Sequence, residues 1–166
     1  MRNPNASPSH AAMIAARTAL LFDSPMWGML ALRLELVADP RCRTAYTDGI
    51  RIGYNPEYVL SLSNAERKGL IVEEVEHVAR GHCWRRDGRD ARDWNKACDA
   101  AIFADLEREG FAIPEHCFKL PEHAGKSPEF IYSRIAGLET GEQDAASPEA
   151  DPDADRRDRA GAERGS

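Results

Sequence analysis

The chain has 166 residues, of which 42% are hydrophobic, so it is long enough to fold as one domain around its own core. Its formal net charge of −6 argues against a nucleic-acid-binding protein, and no stretch approaches the roughly 18 consecutive apolar residues of a membrane span. The cysteines lack C-x-x-C spacing and a chain of this size does not need disulfides, which predicts reduced thiols in a cytoplasmic protein: Cys42, Cys83, Cys98 and Cys117.

The first part of the chain predicts a helix and then a strand. Residues 1–8 are predicted to be a flexible N-terminus, and the apolar spacing that follows predicts a helix over residues 9–22. Leucines alternate with other residues from Leu30 to Leu36, which is the period of a half-buried strand. We therefore predict a strand over residues 30–37.

A hairpin is predicted next along the chain. The Asp48-Gly49 pair lies between two short segments, 44–47 and 50–54, that are rich in β-forming residues. Asp-Gly is among the dipeptides that two-residue hairpin turns prefer, because both central positions of such a turn need a positive φ angle. A small sheet should therefore form in this part of the chain.

The middle of the chain predicts a helix over residues 64–81. Ser63 and Glu66 have the spacing of a capping box, in which each side chain accepts a hydrogen bond from the other residue's backbone. Gly81 is suited to end the helix, because glycine adopts the left-handed conformation of a C-terminal cap at little cost.

The last part of the chain predicts two more helices and a tail. Apolar spacing and a terminal glycine predict a long helix over residues 94–110, and a Ser-Pro-Glu start predicts a short helix over residues 127–135. Residues 139–166 contain nine acids, four arginines and no large apolar residue, so we predict a disordered acidic tail. The folded domain is predicted to span residues 9–138.

Residues 73–77, Glu-Glu-Val-Glu-His, differ at one position from the H-E-x-x-H motif of zinc peptidases. Glu73 stands where the first histidine belongs, while His77 and Glu74 match the second histidine and the general base. Residues four apart lie on one face of a helix, so Glu73 and His77 can bind one ion. The alternative is an ordinary solvated helix whose acids bind no metal.

A third metal ligand has two candidates in the sequence. His82 follows the predicted end of the helix and reaches the ion only if the chain turns at Gly81. Asp99 lies on a largely apolar helix face, where a buried acid needs a partner. A site with two histidines and one carboxylate would instead suit Fe(II), which we keep as a further alternative.

The chain as a whole resembles the bacterial metallopeptidase domain that usually precedes a von Willebrand factor A-like module. The match covers about residues 16–135. The segments that carry it are Thr47 to Gly49, Tyr54 to Pro56, Leu62-Ser63, Glu74 to His82, Arg89-Asp90, Trp94 to Asp99, Gly110-Phe111, Pro114 and Ser127 to Tyr132.

The resemblance implies a small zincin-like α+β fold, in which a short sheet packs on the active-site helix and a second long helix lies beside it. It also implies Glu74 as general base, His77 as zinc ligand, and His82 and Asp99 as further site residues. Glu73 departs from the family pattern, which has histidine at that position.

These observations predict a zinc-dependent metallopeptidase-like domain that holds one Zn²⁺ ion and hydrolyses a peptide or protein. A ligand carboxylate adds negative charge at the ion and reduces its Lewis acidity, so we expect weakened turnover. The second hypothesis is a catalytically inactive homologue that acts as an interaction or regulatory module. The resemblance also suggests a separate von Willebrand factor A-like protein or an ATPase as partner.

Overall fold

The computed structural model describes residues 7–115 and 117–139, which form an α+β domain, as predicted. The predicted N-terminal segment and acidic tail lie outside the described residues, apart from their innermost positions. None of the described helices is long and apolar enough to cross a membrane. The elements in chain order are α1 (Pro8–Asp23), α2 (Pro25–Ala31), β1 (Glu35–Ala38), β2 (Ala45–Thr47), β3 (Arg51–Tyr54), α3 (Pro56–Ser61), α4 (Asn64–Ala79), α5 (Ala91–Arg108) and α6 (Pro128–Glu139).

The sheet has the strand order β1-β3-β2, with β1 parallel and β2 antiparallel to β3. The predicted hairpin is confirmed as the β2–β3 pair, but its turn is longer than a two-residue turn, because Thr47 pairs with Ile52 across four intervening residues. In its turn, Asp48 Oδ1 accepts hydrogen bonds from the N–H groups of Ile50 and Arg51, and Gly49 has a φ angle of +85°. The short helix α3, which directly follows the hairpin, was not predicted.

The predicted strand over residues 30–37 is wrong in its first half, where α2 ends at Ala31 and a turn over residues 32–34 follows. Pro25 occupies the first turn of α2, a position that favours proline because no helical N–H bond is lost there. Gly28 allows α2 to lie against α1, since a Cβ atom at Gly28 would lie within 3 Å of the α1 backbone. Leu30 and Leu32 are substantially exposed, so their alternation reflects surface positions rather than one buried strand face.

The predicted starts of α4 and α6 are confirmed, whereas the cap of α5 was not predicted. Ser63 Oγ accepts a hydrogen bond from the Glu66 N–H, and the Glu66 carboxylate accepts one from the Ser63 N–H, which confirms the capping box. Asp90 caps α5 by accepting from the Asp93 N–H, and α5 begins at Ala91, just before the apolar stripe that starts at Trp94. Ser127 precedes α6, and the predicted Ser-Pro start is confirmed.

The core has two parts, and α4 and α5 connect them. The larger cluster joins α1, α2, the sheet and α4, with a buried end of α5. The smaller cluster lies between α5 and α6. Because α4 packs against both β2 and α5, the second half of α4 is enclosed, and polar side chains there are withdrawn from water.

Candidate metal centre

The acidic residues near the end of α4 are buried. Glu73, Glu74 and Glu76 are 4%, 1% and 5% exposed, and His77 is 1% exposed. The alternative of an ordinary solvated helix is therefore wrong, because its acids would face water. Burying several carboxylates in one helical turn is costly unless hydrogen bonds and opposite charges compensate the lost hydration.

Three of the predicted site residues come together between α4 and α5. One ligand atom each from Glu73, His77 and Asp99 lies within 4.8 Å of the other two. The Nε2 atom of His77 lies 3.0 Å from Oδ1 of Asp99, and the Asn95 side-chain amide donates to the other carboxylate oxygen at 3.2 Å. Asp99 is thus oriented by its own helix toward the imidazole of α4.

The chain turns at Gly81, which was the condition for His82 to approach the site. Gly81 has a φ angle of +68°, and its N–H donates to the Val78 carbonyl at 3.0 Å. The His82 N–H donates to the His77 carbonyl at 2.9 Å. These two bonds form a Schellman motif, which ends α4 at Ala79 rather than at the predicted residue 81.

His82 contacts the imidazole of His77 and does not belong to the three-residue group. The two Nδ1 atoms are 3.3 Å apart, and the rings meet edge to face. Trp94 holds His82 from the other side, because its indole N–H donates to the His82 carbonyl. Burial and the neighbouring imidazole lower the pKa of His82 from 6.5 to about 2. Within the described residues, its Nε2 atom has no hydrogen-bond partner.

Glu76 has a structural ion pair. Its carboxylate accepts a hydrogen bond from Arg80 Nε at 2.5 Å, and Arg80 also donates to Asp105 at 2.7 Å. These partners tie the end of α4 to α5. Glu76 is thus engaged in an ion pair with Arg80.

Cys117 is a site residue that sequence reasoning missed. Its Sγ lies 3.2 Å from both carboxylate oxygens of Glu73. Burial, together with the charges of Glu73, Asp99 and Glu74, raises the pKa of the thiol. No motif spacing links a cysteine to an acid 44 residues earlier, so only the fold could reveal this contact.

The donor set fits a divalent cation. Carboxylate oxygen and imidazole nitrogen both bind zinc, and a dipositive ion would balance two ligand carboxylates that the protein has withdrawn from water. The group contains one imidazole and two carboxylates. This differs from the two-histidine, one-carboxylate set of the Fe(II) alternative.

Comparisons with known proteins give one result. The sequence model of a family described as "Putative metallopeptidase domain" matches residues 8–165. No curated protein and no solved structure matches the chain.

Proposed function

Because the chain belongs to this metallopeptidase domain family, we propose that it is a metal-dependent peptidase domain acting on a peptide or protein. Glu73, His77 and Asp99 would hold the ion, and Glu74 would accept the proton of the attacking water. The observation that carries the proposal is the convergence of the first three residues on one point between two helices.

Zinc is the proposed ion. Bound by three protein ligands, zinc would supply an open fourth position and Lewis acidity, which lowers the pKa of water toward about 7. Manganese and magnesium favour carboxylate oxygens more strongly than zinc does, and the group contains two carboxylates. Elemental analysis therefore has to identify which ion is bound.

We assign the role of general base to Glu74. It follows Glu73 in α4, rotated by about 100° around the helix axis, and is 1% exposed. Desolvation favours the protonated form of a carboxylate, so a buried glutamate is a better proton acceptor than one in water. After accepting the proton, Glu74 would deliver it to the departing amine nitrogen as the peptide C–N bond breaks.

His82 would orient the ligand imidazole. A neutral histidine that binds an ion through Nε2 carries its proton on Nδ1. The Nδ1–H group of His77 would then donate to the unprotonated Nδ1 of His82. A partner at the second ring nitrogen fixes the tautomer and the ring plane of a metal ligand. His82 would therefore act through His77, as a positioning residue.

The second candidate function is a metal-binding but inactive relative that serves as an interaction or regulatory module. Glu73 favours it, because a second negative ligand reduces the Lewis acidity available to polarise a peptide carbonyl. Under this alternative the ion would stabilise the fold and no substrate would be cleaved.

The cellular setting is also a proposal. We expect a bacterial cytoplasmic protein, which the four buried free thiols support, because thiols persist in reducing compartments. A separate von Willebrand factor A-like protein or an ATPase is the proposed partner, on the resemblance alone. Co-purification of tagged protein from its native cell would test this, and recovery of neither partner class would contradict it.

The main experiment combines metal analysis with a matched pair of variants. Zinc per chain is measured by elemental analysis, and cleavage is followed with a fluorogenic library of mixed-sequence peptides. Glu74→Gln should retain the metal and lose cleavage. Glu76→Gln, the same change on the same helix turn but at the Arg80 ion pair, should retain both.

The outcomes separate the two functions. Metal binding without cleavage by the wild type would support the inactive homologue, and protein that binds no divalent ion would overturn both forms of the proposal. Glu73→His should raise zinc affinity, since an imidazole would replace a charged carboxylate in the H-E-x-x-H position.

A further inference from the structure

The segment between α5 and α6 contributes one side chain to the metal centre. Cys117 is 7% exposed, and its Sγ is equidistant, at 3.2 Å, from the two carboxylate oxygens of Glu73. The residue therefore contacts α4 from a bend that lies outside the described helices and strands. This contact lies at the position where the chain departs from the H-E-x-x-H motif.

The contact has the geometry of a hydrogen bond rather than of shared metal coordination. A thiol is a weak donor and a carboxylate a strong acceptor, so the S–H group can donate to either oxygen. Among the described residues, the group of mutually close donor atoms is formed by Glu73, His77 and Asp99 without the Cys117 sulfur. The sulfur therefore faces both oxygens of the Glu73 carboxylate without belonging to that group.

We propose that Cys117 is a positioning residue that holds the Glu73 carboxylate as a metal ligand. A glutamate side chain has more rotatable bonds than histidine and needs an external contact to hold one orientation. Partners behind metal ligands supply such contacts, and their loss typically weakens metal affinity by roughly 10- to 100-fold. This inference rests on the proposed function in one respect, that Glu73 binds the ion.

The first test measures zinc affinity by chelator competition in the full chain. Cys117→Ala should weaken binding by roughly 10-fold or more. Cys117→Ser retains a donor in the same place and should recover most of that loss. The matched control is Cys42→Ala, which removes another buried thiol, one that donates to the Asp39 and Thr44 carbonyls, and should leave zinc affinity unchanged.

A double-variant experiment isolates the link to Glu73. In the Glu73→His background, Cys117→Ala should cost much less zinc affinity, because the carboxylate that the thiol holds is gone. An equal loss in both backgrounds would mean that Cys117 acts only on the general packing of the pocket, which would overturn the proposal.

A readout without metal separates this inference from the proposed function. The S–H infrared stretch of Cys117, taken as the difference between wild type and Cys117→Ala in chelator, should lie at a hydrogen-bonded frequency and move upward in Glu73→Ala. An unshifted band would overturn the inference even if zinc binds. If the S–H band lies at a hydrogen-bonded frequency but the protein binds no divalent ion, the proposed function is overturned. The hydrogen bond between Cys117 and Glu73 would then have only a structural role.

Cobalt substitution tests the competing role of Cys117 as a ligand. A cobalt(II) complex of the wild type should lack the intense near-ultraviolet absorption that a cobalt–thiolate bond produces. Such a band, lost in Cys117→Ser, would show that the sulfur coordinates the ion and would overturn the positioning role.

Discussion

The molecule buries histidine in two regions, and the difference between their neighbours distinguishes a metal site from core packing. In the first region, His77 lies against Asp99, Glu73 and His82. In the second, His10 of α1 is 8% exposed, and its Nδ1 lies 3.0 Å from the hydroxyl of Tyr54.

The hydrogen-bond partner of the His10 imidazole is a neutral hydroxyl. Tyr54 is fully buried, and burial raises the pKa of its hydroxyl, so it stays protonated and can satisfy the imidazole with a neutral hydrogen bond. His77 instead faces carboxylates from two helices. The comparison shows that burial of an imidazole does not indicate a metal by itself; converging carboxylates are needed, because they leave charge that a cation balances.

The largest expected effect is on metal affinity. His77→Ala removes the imidazole ligand, so zinc affinity should fall by more than about 100-fold, beyond the usual cost of losing a partner behind a ligand. His10→Ala should leave zinc affinity unchanged and lower the free energy of unfolding by about 1–3 kcal/mol, because a buried polar group loses a partner. Isothermal titration and urea unfolding measure the two quantities. Equal loss of zinc affinity in both variants would contradict the assignment.

The second prediction concerns stabilisation by the ion. Free zinc at 100 times its dissociation constant should raise the free energy of unfolding by about 2.7 kcal/mol, because only the folded chain presents the three ligands together. The His10→Ala variant should gain the same increment of about 2.7 kcal/mol when free zinc is set at 100 times the dissociation constant of that variant. Glu73→Ala should gain little at the wild-type zinc concentration. Urea unfolding with and without chelator provides the measurement.

The third prediction is a pH dependence in metal-free protein. His82 has a pKa of 6.5 in the unfolded chain and about 2 in the folded chain, mainly because it is buried. Below about pH 6.5 the unfolded chain therefore binds a proton that the folded chain does not. Each further decrease of one pH unit should lower the free energy of unfolding by about 1.4 kcal/mol through His82.

His82→Asn should remove that contribution to the slope between pH 6 and pH 4. The comparison uses the slope of unfolding free energy against pH, so a constant loss of packing in the variant does not affect it. His10→Asn serves as the control at the other buried histidine. Parallel slopes for wild type and His82→Asn would show that His82 takes up a proton in the folded state.

The smallest expected effect is at the turn that places His82. Gly81→Ala forces a side chain into the left-handed region and should cost about 1 kcal/mol of unfolding free energy. The same change at Gly88, which also has a positive φ angle but no nearby atoms, should cost a similar amount. Only Gly81→Ala should also weaken zinc binding, through the displaced His82. Unchanged zinc affinity in Gly81→Ala would separate His82 from the site.

Local sequence signals determined much of the fold. The capping box of α4, the Asp-Gly hairpin and the Ser-Pro start of α6 were predictable, because each depends on hydrogen bonds within a few residues. The helical spacing also placed Glu73 and His77 one turn apart. Local patterns gave a wrong prediction at α2, because the alternating leucines resembled a strand. The segment is instead a helix that packs closely against α1 at Gly28.

Only the tertiary structure determined which side chains contact residues 73–77 of α4. The sequence left both His82 and Asp99 as candidates for the third ligand. The packing of α4 against α5 brings Asp99 close to Glu73 and His77. The turn at Gly81 instead places His82 against the imidazole of His77. The same packing buries the acids and brings Cys117 to Glu73. Contacts between residues so far apart in the chain depend on how whole helices pack, and no local periodicity encodes that arrangement.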